Sequence, residues 1–164
     1  MLLTVLSLTF PLVMIWAMVA DFRTFEIPHS LPIALVVVFP IAAWAANMSW
    51  QQIAWACGLA TFMLVVAILM VLFRVMGGGD GKLIAAAALW TGPEAIMPFL
   101  LLIALMGGVL ALVILLYRRL PLASTLASLT AFQKMHAEKR DLPYAIAIGI
   151  AGLIIYPRLP ILVG

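Results

Sequence analysis

Long apolar runs, separated by short polar breaks, dominate the pattern of this chain. A helix that crosses the hydrocarbon core of a membrane needs about 20 mainly apolar residues. The pattern predicts six membrane segments, at residues 2–20, 31–47, 52–73, 83–91, 95–117 and 144–162, of which the fourth is short. We therefore predict an all-α, polytopic membrane protein with six transmembrane helices, in which residues 1–164 form a single transmembrane domain.

The composition agrees with this fold class. Of the 164 residues, 67% are hydrophobic and 9% are charged, whereas about a quarter of the residues in a soluble domain are charged. The net charge of +3 is interpreted loop by loop and not as a sign of nucleic-acid binding. Cys57, the one cysteine, is expected to be a small buried residue. Trp50 and Trp90 are expected to anchor segment ends at the membrane interface.

Basic residues are distributed unevenly over the predicted loops. Eight of the nine lie in or beside the first, third and fifth loops, namely Arg23, Arg74, Lys82, Arg118, Arg119, Lys134, Lys139 and Arg140. Cytoplasmic loops carry an excess of lysine and arginine. We therefore expect the odd-numbered loops to be cytoplasmic and both termini to lie on the other side of the membrane.

The longest polar stretch, residues 118–142, carries apolar side chains at helical spacing. The members of this stripe are Leu122, Leu126, Leu129, Phe132 and Met135. Such a pattern predicts an amphipathic helix on the cytoplasmic membrane surface. Two interpretations stay open, a connector that lies on lipid and a lid or docking surface for a substrate.

Two of the six acidic residues have positions that suggest chemistry. Asp21 lies at the cytoplasmic end of the first predicted span and Asp80 at the cytoplasmic start of the fourth, so the predicted topology places both at the same face. Ionisable groups at membrane depth are costly to bury and are often functional. Each aspartate could instead be a solvated charge at a helix end. If the two helices are neighbours, the carboxyl groups can meet.

A glycine-rich loop surrounds Asp80. Gly77, Gly78 and Gly79 precede this aspartate, and glycine permits close approach of another backbone. The run suits a loop that folds inward or receives an extended peptide, although a flexible turn is the simpler interpretation. Lys82 is expected to face the cytoplasm or the headgroups, or else to balance charge or orient a substrate beside Asp80.

Paired carboxyl groups can hydrolyse a peptide bond without a metal. Repulsion keeps both from ionising together, so that one donates a proton while the other accepts one from water. Neither a Ser/His/Asp arrangement nor a set of metal ligands is evident in the sequence. We therefore expect no metal and no cofactor.

Three segments resemble a known family in order and spacing. The stretch "DFRTFEIPHSL" at 21–31 resembles its upstream aspartate motif, "GGGD" at 77–80 matches GxGD, and "LPYAIAIGIAG" at 142–152 resembles its C-terminal segment. Together they resemble the prepilin peptidases, or type IV leader peptidases. The resemblance implies an aspartic endopeptidase with Asp21 and Asp80 as catalytic residues and residues 1–164 as its peptidase domain.

The family resemblance also implies a substrate and a location. Such enzymes remove the short basic leader of a prepilin at the cytoplasmic face of the bacterial inner membrane. The loop at 21–30 is short and lacks cysteine, unlike the larger members, which also methylate the new N-terminus. We therefore do not expect N-methyltransferase activity. The chain is similar to the compact CpaA/TadV type that serves Flp (tight adherence) pili, so the expected partners are Flp-type pilin and pseudopilin precursors and membrane lipid, with the oligomeric state left open.

Other functions remain as alternatives at this point. A preflagellin peptidase or another GxGD protease would use the same two aspartates, and neighbouring genes would distinguish these enzymes. A small proton or cation transporter would also carry membrane-level carboxylates, but closer to the midplane. A pilus-assembly subunit without activity is the last alternative.

Overall fold

The structure, a computed structural model, describes residues 2–119 and 143–163. Within these ranges the secondary structure is helical, which confirms the all-α, polytopic membrane fold. Its elements are α1 (Leu2–Ser7), α2 (Thr9–Thr24), α3 (Ser30–Ala45), α4 (Trp50–Leu72), α5 (Gly78–Arg119), α6 (Tyr144–Ile155), a 3-10 helix (Tyr156–Arg158) and α7 (Pro160–Val163). The amphipathic helix predicted over 118–142 falls outside the described residues, apart from the two residues that end α5.

Four helical stretches in the described ranges are long and apolar enough to cross a membrane. They are Leu2–Thr24, Trp50–Leu72, Gly78–Leu116 and Tyr144–Val163, and Ser30–Ala45 is a shorter apolar helix. The predicted fourth and fifth segments both lie within α5. The number of membrane spans therefore depends on how α5 is folded.

A single glycine divides α5 into two arms. Gly92 has φ 58° and ψ −177°, a conformation that is open to glycine and strained for other residues. We name residues 78–91 the first arm and residues 93–119 the second arm. The arms correspond to the predicted fourth and fifth segments, and the predicted break at 91–94 is this one residue followed by Pro93.

Tyr144 of α6 shows that the two arms fold back on each other. Its ring lies against Gly107 of the second arm, where an added Cβ would be 2.8 Å from Tyr144 Cε2. The same tyrosine interacts electrostatically with Asp80 of the first arm. A straight helix would separate positions 80 and 107 by about 40 Å, which is far beyond the reach of one side chain. The break at Gly92 therefore reverses the chain direction.

A capping box begins α4 after the second polar break. The Gln52 N–H donates to Ser49 Oγ at 3.3 Å, and the Ser49 N–H donates to Gln52 Oε1 at 2.8 Å. Two otherwise unpaired backbone donors at the helix start are satisfied in this way. The polar residues between the second and third predicted spans thus mark the start of α4.

Helices α2 and α6 pack through small residues. A Cβ at Gly149 would meet the Met18 side chain and lie 3.0 Å from the Met14 carbonyl oxygen, and one at Gly152 would lie 2.9 Å from Met14 Cγ. Small residues at such positions let two membrane helices approach closely. This contact fixes the first turn of α6 beside the last turn of α2.

Trp90 corrects an expectation from the sequence. It is 1% exposed and does not anchor the fold at a membrane interface. Its Nε1–H donates to the Leu35 carbonyl oxygen at 2.9 Å, and its ring centroid lies 5.8 Å from that of Phe10 and 5.9 Å from that of Phe39. The indole therefore joins the first arm to α2 and α3 in the protein core.

The expectation for Cys57 was also wrong. Its side chain is exposed on α4, a helix on which Ala56 and Ala67 are the buried residues. Large apolar side chains are exposed beside it, as at Trp55 and Phe62. Because lipid accepts apolar groups, an apolar residue of a membrane helix has no need to face the protein interior.

Candidate active site

Asp21 lies in the last turn of α2. The helix ends when Phe25 adopts a left-handed conformation and donates its N–H to the Asp21 carbonyl oxygen at 2.9 Å. The Asp21 side chain is 5% exposed, and its Oδ2 accepts a hydrogen bond from the Ala145 N–H at 2.8 Å. The first turn of α6 thus fixes the orientation of this carboxyl group.

Asp80 lies in the first turn of α5 and is half-buried. Its carboxyl group interacts electrostatically with that of Asp21, although 58 positions separate the two residues in the sequence. The structure therefore brings together the two aspartates singled out from the sequence. The oxygen atoms of both carboxyl groups lie at the same end of the helix bundle.

The glycine loop contacts Asp80 on one side and the first polar break on the other. A Cβ at Gly77 would lie 2.9 Å from Asp80 Oδ2, and one at Gly79 would lie 3.2 Å from Ile27 Cβ. A Cβ at Gly78 would meet nothing within 4 Å. A side chain at position 77 or 79 would therefore press on the carboxyl group or on Ile27, whereas Gly78 borders open space.

Lys82 is the remaining residue singled out from the sequence, and its side chain is exposed. Gly81, which precedes it, is buried against α4, where an added Cβ would be 2.8 Å from Ala67 Cβ. Lys82 therefore points away from α4. It lies at the end of the bundle that holds the aspartates. Arg23 and Arg74 are exposed at the same end.

Tyr144 and the Ala145 N–H are parts of the site that sequence reasoning missed. The segment at 142–152 carried the family resemblance but was given no role in the site. Tyr144 interacts electrostatically with Asp80, and the next residue donates to Asp21. The proline–tyrosine pair that precedes an apolar helix was the available signal, but nothing in the sequence connects it to either aspartate.

A cavity lies elsewhere in the described part of the chain. It has a volume of about 360 Å³, and its lining includes Met48, Gln52, Gly92 and Glu94. These residues lie near the start of α4 and the break at Gly92, and Gly92 follows the end of the first arm that is opposite Asp80. In the described ranges no three residues of the types histidine, cysteine, aspartate and glutamate are grouped as metal ligands. What the aspartate end offers is a pair of carboxyl groups, which can act as a proton donor and a proton acceptor.

The fold first defines the class of protein, which is a polytopic membrane protein with two acidic side chains at one end of its helices. The chain belongs to the type IV leader peptidase family, because the model of that family matches residues 8–112. It is therefore a membrane-embedded peptidase, of the aspartic type that this family represents. The match includes both aspartates and confirms the resemblance seen in the sequence. No curated protein and no solved structure matches the chain.

Proposed function

We propose that the protein is an aspartic endopeptidase that removes the basic leader of type IV prepilins at the cytoplasmic face of the bacterial inner membrane. One observation carries this proposal: Asp21 of α2 and Asp80 of α5 interact at one end of the bundle. Membership of the type IV leader peptidase family supports prepilin-type substrates. The short loop between α2 and α3 supports the compact, Flp-type subgroup.

The two carboxyl groups would divide the acid and base roles between them. We assign the base to Asp21, because its Oδ2 already accepts the Ala145 N–H and needs no proton of its own. Asp80 is then the acid. Asp21 removes a proton from water, the water oxygen bonds to the scissile carbonyl carbon, and Asp80 protonates the carbonyl oxygen. When the resulting diol collapses, the C–N bond breaks, the amine leaves with the proton that Asp21 had taken, and one diol hydroxyl returns a proton to Asp80.

The glycine loop gives a place for the peptide. Gly78 borders open space next to Asp80, so an extended backbone can approach the carboxyl group without meeting a side chain. The prepilin's apolar segment would remain in the membrane while its leader stays in the cytoplasm. Positive charge at Arg23, Arg74 and Lys82 supports a cytoplasmic location for this end of the bundle.

A cleavage assay tests the proposal directly. The purified protein is mixed in detergent with a Flp-type prepilin, and loss of the leader is followed by mass spectrometry. Asp21→Asn and Asp80→Asn should each lower turnover by about 100-fold or more, because acid–base groups contribute roughly 10²–10⁴-fold to a rate. Glu94→Gln is the matched control, since this exposed carboxylate lies at the opposite end of the bundle. Full activity in either asparagine variant would exclude the aspartate pair.

Labelling with a membrane-impermeant maleimide tests the orientation. In a Cys57→Ala background, Val75→Cys places a thiol at the aspartate end and Glu94→Cys places one at the other end, both at exposed positions. We expect the thiol at 94 to be labelled in intact spheroplasts, which expose the outer face of the inner membrane, and the thiol at 75 only after permeabilisation. The reverse pattern would contradict the cytoplasmic location of the site.

A further inference from the structure

We propose that Tyr144 is a positioning residue for the aspartate pair and that Gly107 holds the place its ring occupies. This inference rests on the proposed function, because it adds a third helix to the same site. The first turn of α6 would then serve both aspartates, with Ala145 acting on Asp21 and Tyr144 acting on Asp80. Residues 143–145 lie outside the range that the family model matches.

The contact with Gly107 is unusually close. A Cβ added there would lie 2.8 Å from Tyr144 Cε2 and 3.0 Å from Tyr144 Oη. Gly107 is buried, whereas its neighbour Gly108 is exposed and would place a Cβ in open space. Because Gly107 has no side chain, it leaves a recess on the second arm, and the Tyr144 ring occupies that recess.

The consequence of filling that recess follows from which atoms are free to move. The Cε2 and Oη atoms are at the far end of the tyrosine side chain, so a methyl group at 107 displaces the ring and leaves the helices in place. The displaced ring is the one that interacts with Asp80. Gly107→Ala is thus a way to move the Tyr144 ring without altering Tyr144 or either aspartate.

Tyr144 is fixed at its other end by the backbone. Pro143 is the N-cap residue of α6, and the Ala145 N–H donates to Asp21. The tyrosine backbone therefore sits directly beside the Asp21 carboxyl group, while its ring lies against Gly107. A shift of this ring would therefore reach Asp21 through the Ala145 N–H and Asp80 through the electrostatic interaction.

Kinetic constants for prepilin cleavage test the role in catalysis. Tyr144→Ala and Gly107→Ala should each lower kcat by about 10-fold or more with KM within about 2-fold, because small displacements of catalytic groups reduce rate constants strongly. Tyr144→Phe keeps the ring and should therefore retain most of the wild-type kcat. Gly108→Ala is the matched control and should retain wild-type constants.

The double variant separates positioning from a general loss of packing. If Gly107 acts through the ring, Gly107→Ala should have no further effect on kcat once Tyr144→Ala is present. Independent, multiplicative losses in the double variant would overturn the proposal. So would wild-type kcat in Tyr144→Ala, or a rise in KM with kcat unchanged, which would indicate a substrate contact.

A spectroscopic measurement tests the same inference without any substrate. The chain contains three aspartates, Asp21, Asp80 and Asp141, so protein labelled with ¹³C at the aspartate carboxyl carbons gives three signals, which asparagine variants assign. The Asp80 signal should shift in Gly107→Ala and in Tyr144→Ala but not in Gly108→Ala. An Asp80 signal that is unchanged in all three would overturn the role of Tyr144 even if the wild type cleaves prepilin. If the Asp80 signal shifts in Gly107→Ala and Tyr144→Ala but the wild type does not cleave prepilin, only the proposed function is contradicted.

Discussion

Replacing Gly92 with alanine tests the chain reversal in α5. This residue has φ 58° and ψ −177°, and a non-glycine residue held in such a sparsely populated region costs about 1–3 kcal/mol. The new Cβ would also lie 3.3 Å from Pro160 Cγ, so the proline ring must shift by a few tenths of an ångström. We expect Gly92→Ala to lower the free energy of unfolding by at least the strain term.

Gly58→Ala in α4 is the matched control. A Cβ at position 58 would meet nothing within 4 Å, and glycine inside a helix is less favourable than alanine by about 0.5–1 kcal/mol. This variant should therefore be as stable as the wild type or slightly more stable. The free energies of unfolding of the two variants are thus expected to differ by about 1.5–4 kcal/mol, with Gly92→Ala the less stable.

Thermal unfolding of the purified protein in detergent, followed by circular dichroism, measures the difference. For a chain of this size each kcal/mol shifts Tm by about 2–4 °C, so Gly92→Ala should unfold about 2–12 °C below the wild type. A Tm equal to that of Gly58→Ala would refute the reasoning. In that case position 92 would tolerate an ordinary helical backbone and the two arms could not be folded back there.

Four further predictions concern packing and chemistry. Gly149→Val should destabilise the protein by about 1–3 kcal/mol, because the new side chain overlaps Met18 where α2 and α6 meet; an unchanged Tm beside the Gly108→Ala control would contradict this contact. Trp90→Phe should cost about 1 kcal/mol in denaturant unfolding through loss of its hydrogen bond to a backbone carbonyl, and no loss would mean that the bond is not formed. The cleavage rate should pass through a maximum with pH, because acid protonates the base and alkali ionises the acid; a rate independent of pH would argue against paired carboxyl groups. Saturating EDTA should leave turnover unchanged, and inhibition that added metal reverses would contradict a metal-free mechanism.

Apolar runs and the glycine–aspartate motif made the fold class and family predictable from the sequence. Helix lengths follow directly from runs of apolar residues, since each backbone polar group must be satisfied inside lipid. The sequence also singled out Asp21 and Asp80, and in the structure the charges of their carboxyl groups interact. Their catalytic role stays a prediction until the asparagine variants are assayed.

Which side of each helix packs in the protein core could not be predicted in the same way. Periodicity identifies a core-facing stripe only when the opposite face is polar, and here both faces are apolar. This is why Trp90 was expected at an interface and is buried, and why Cys57 was expected in the core and is exposed. The contact between Tyr144 and Gly107 was missed for a related reason, since it depends on a chain reversal that one glycine dihedral angle sets.

The reversal at Gly92 has a consequence for the surrounding bilayer. The first arm has 14 residues from Gly78 to Thr91, which is about 21 Å at 1.5 Å per residue. The hydrocarbon core is about 30 Å thick, so this arm is too short to connect both surfaces. Either the lipid is thinned around it or one end lies below the headgroups, as hydrophobic mismatch requires.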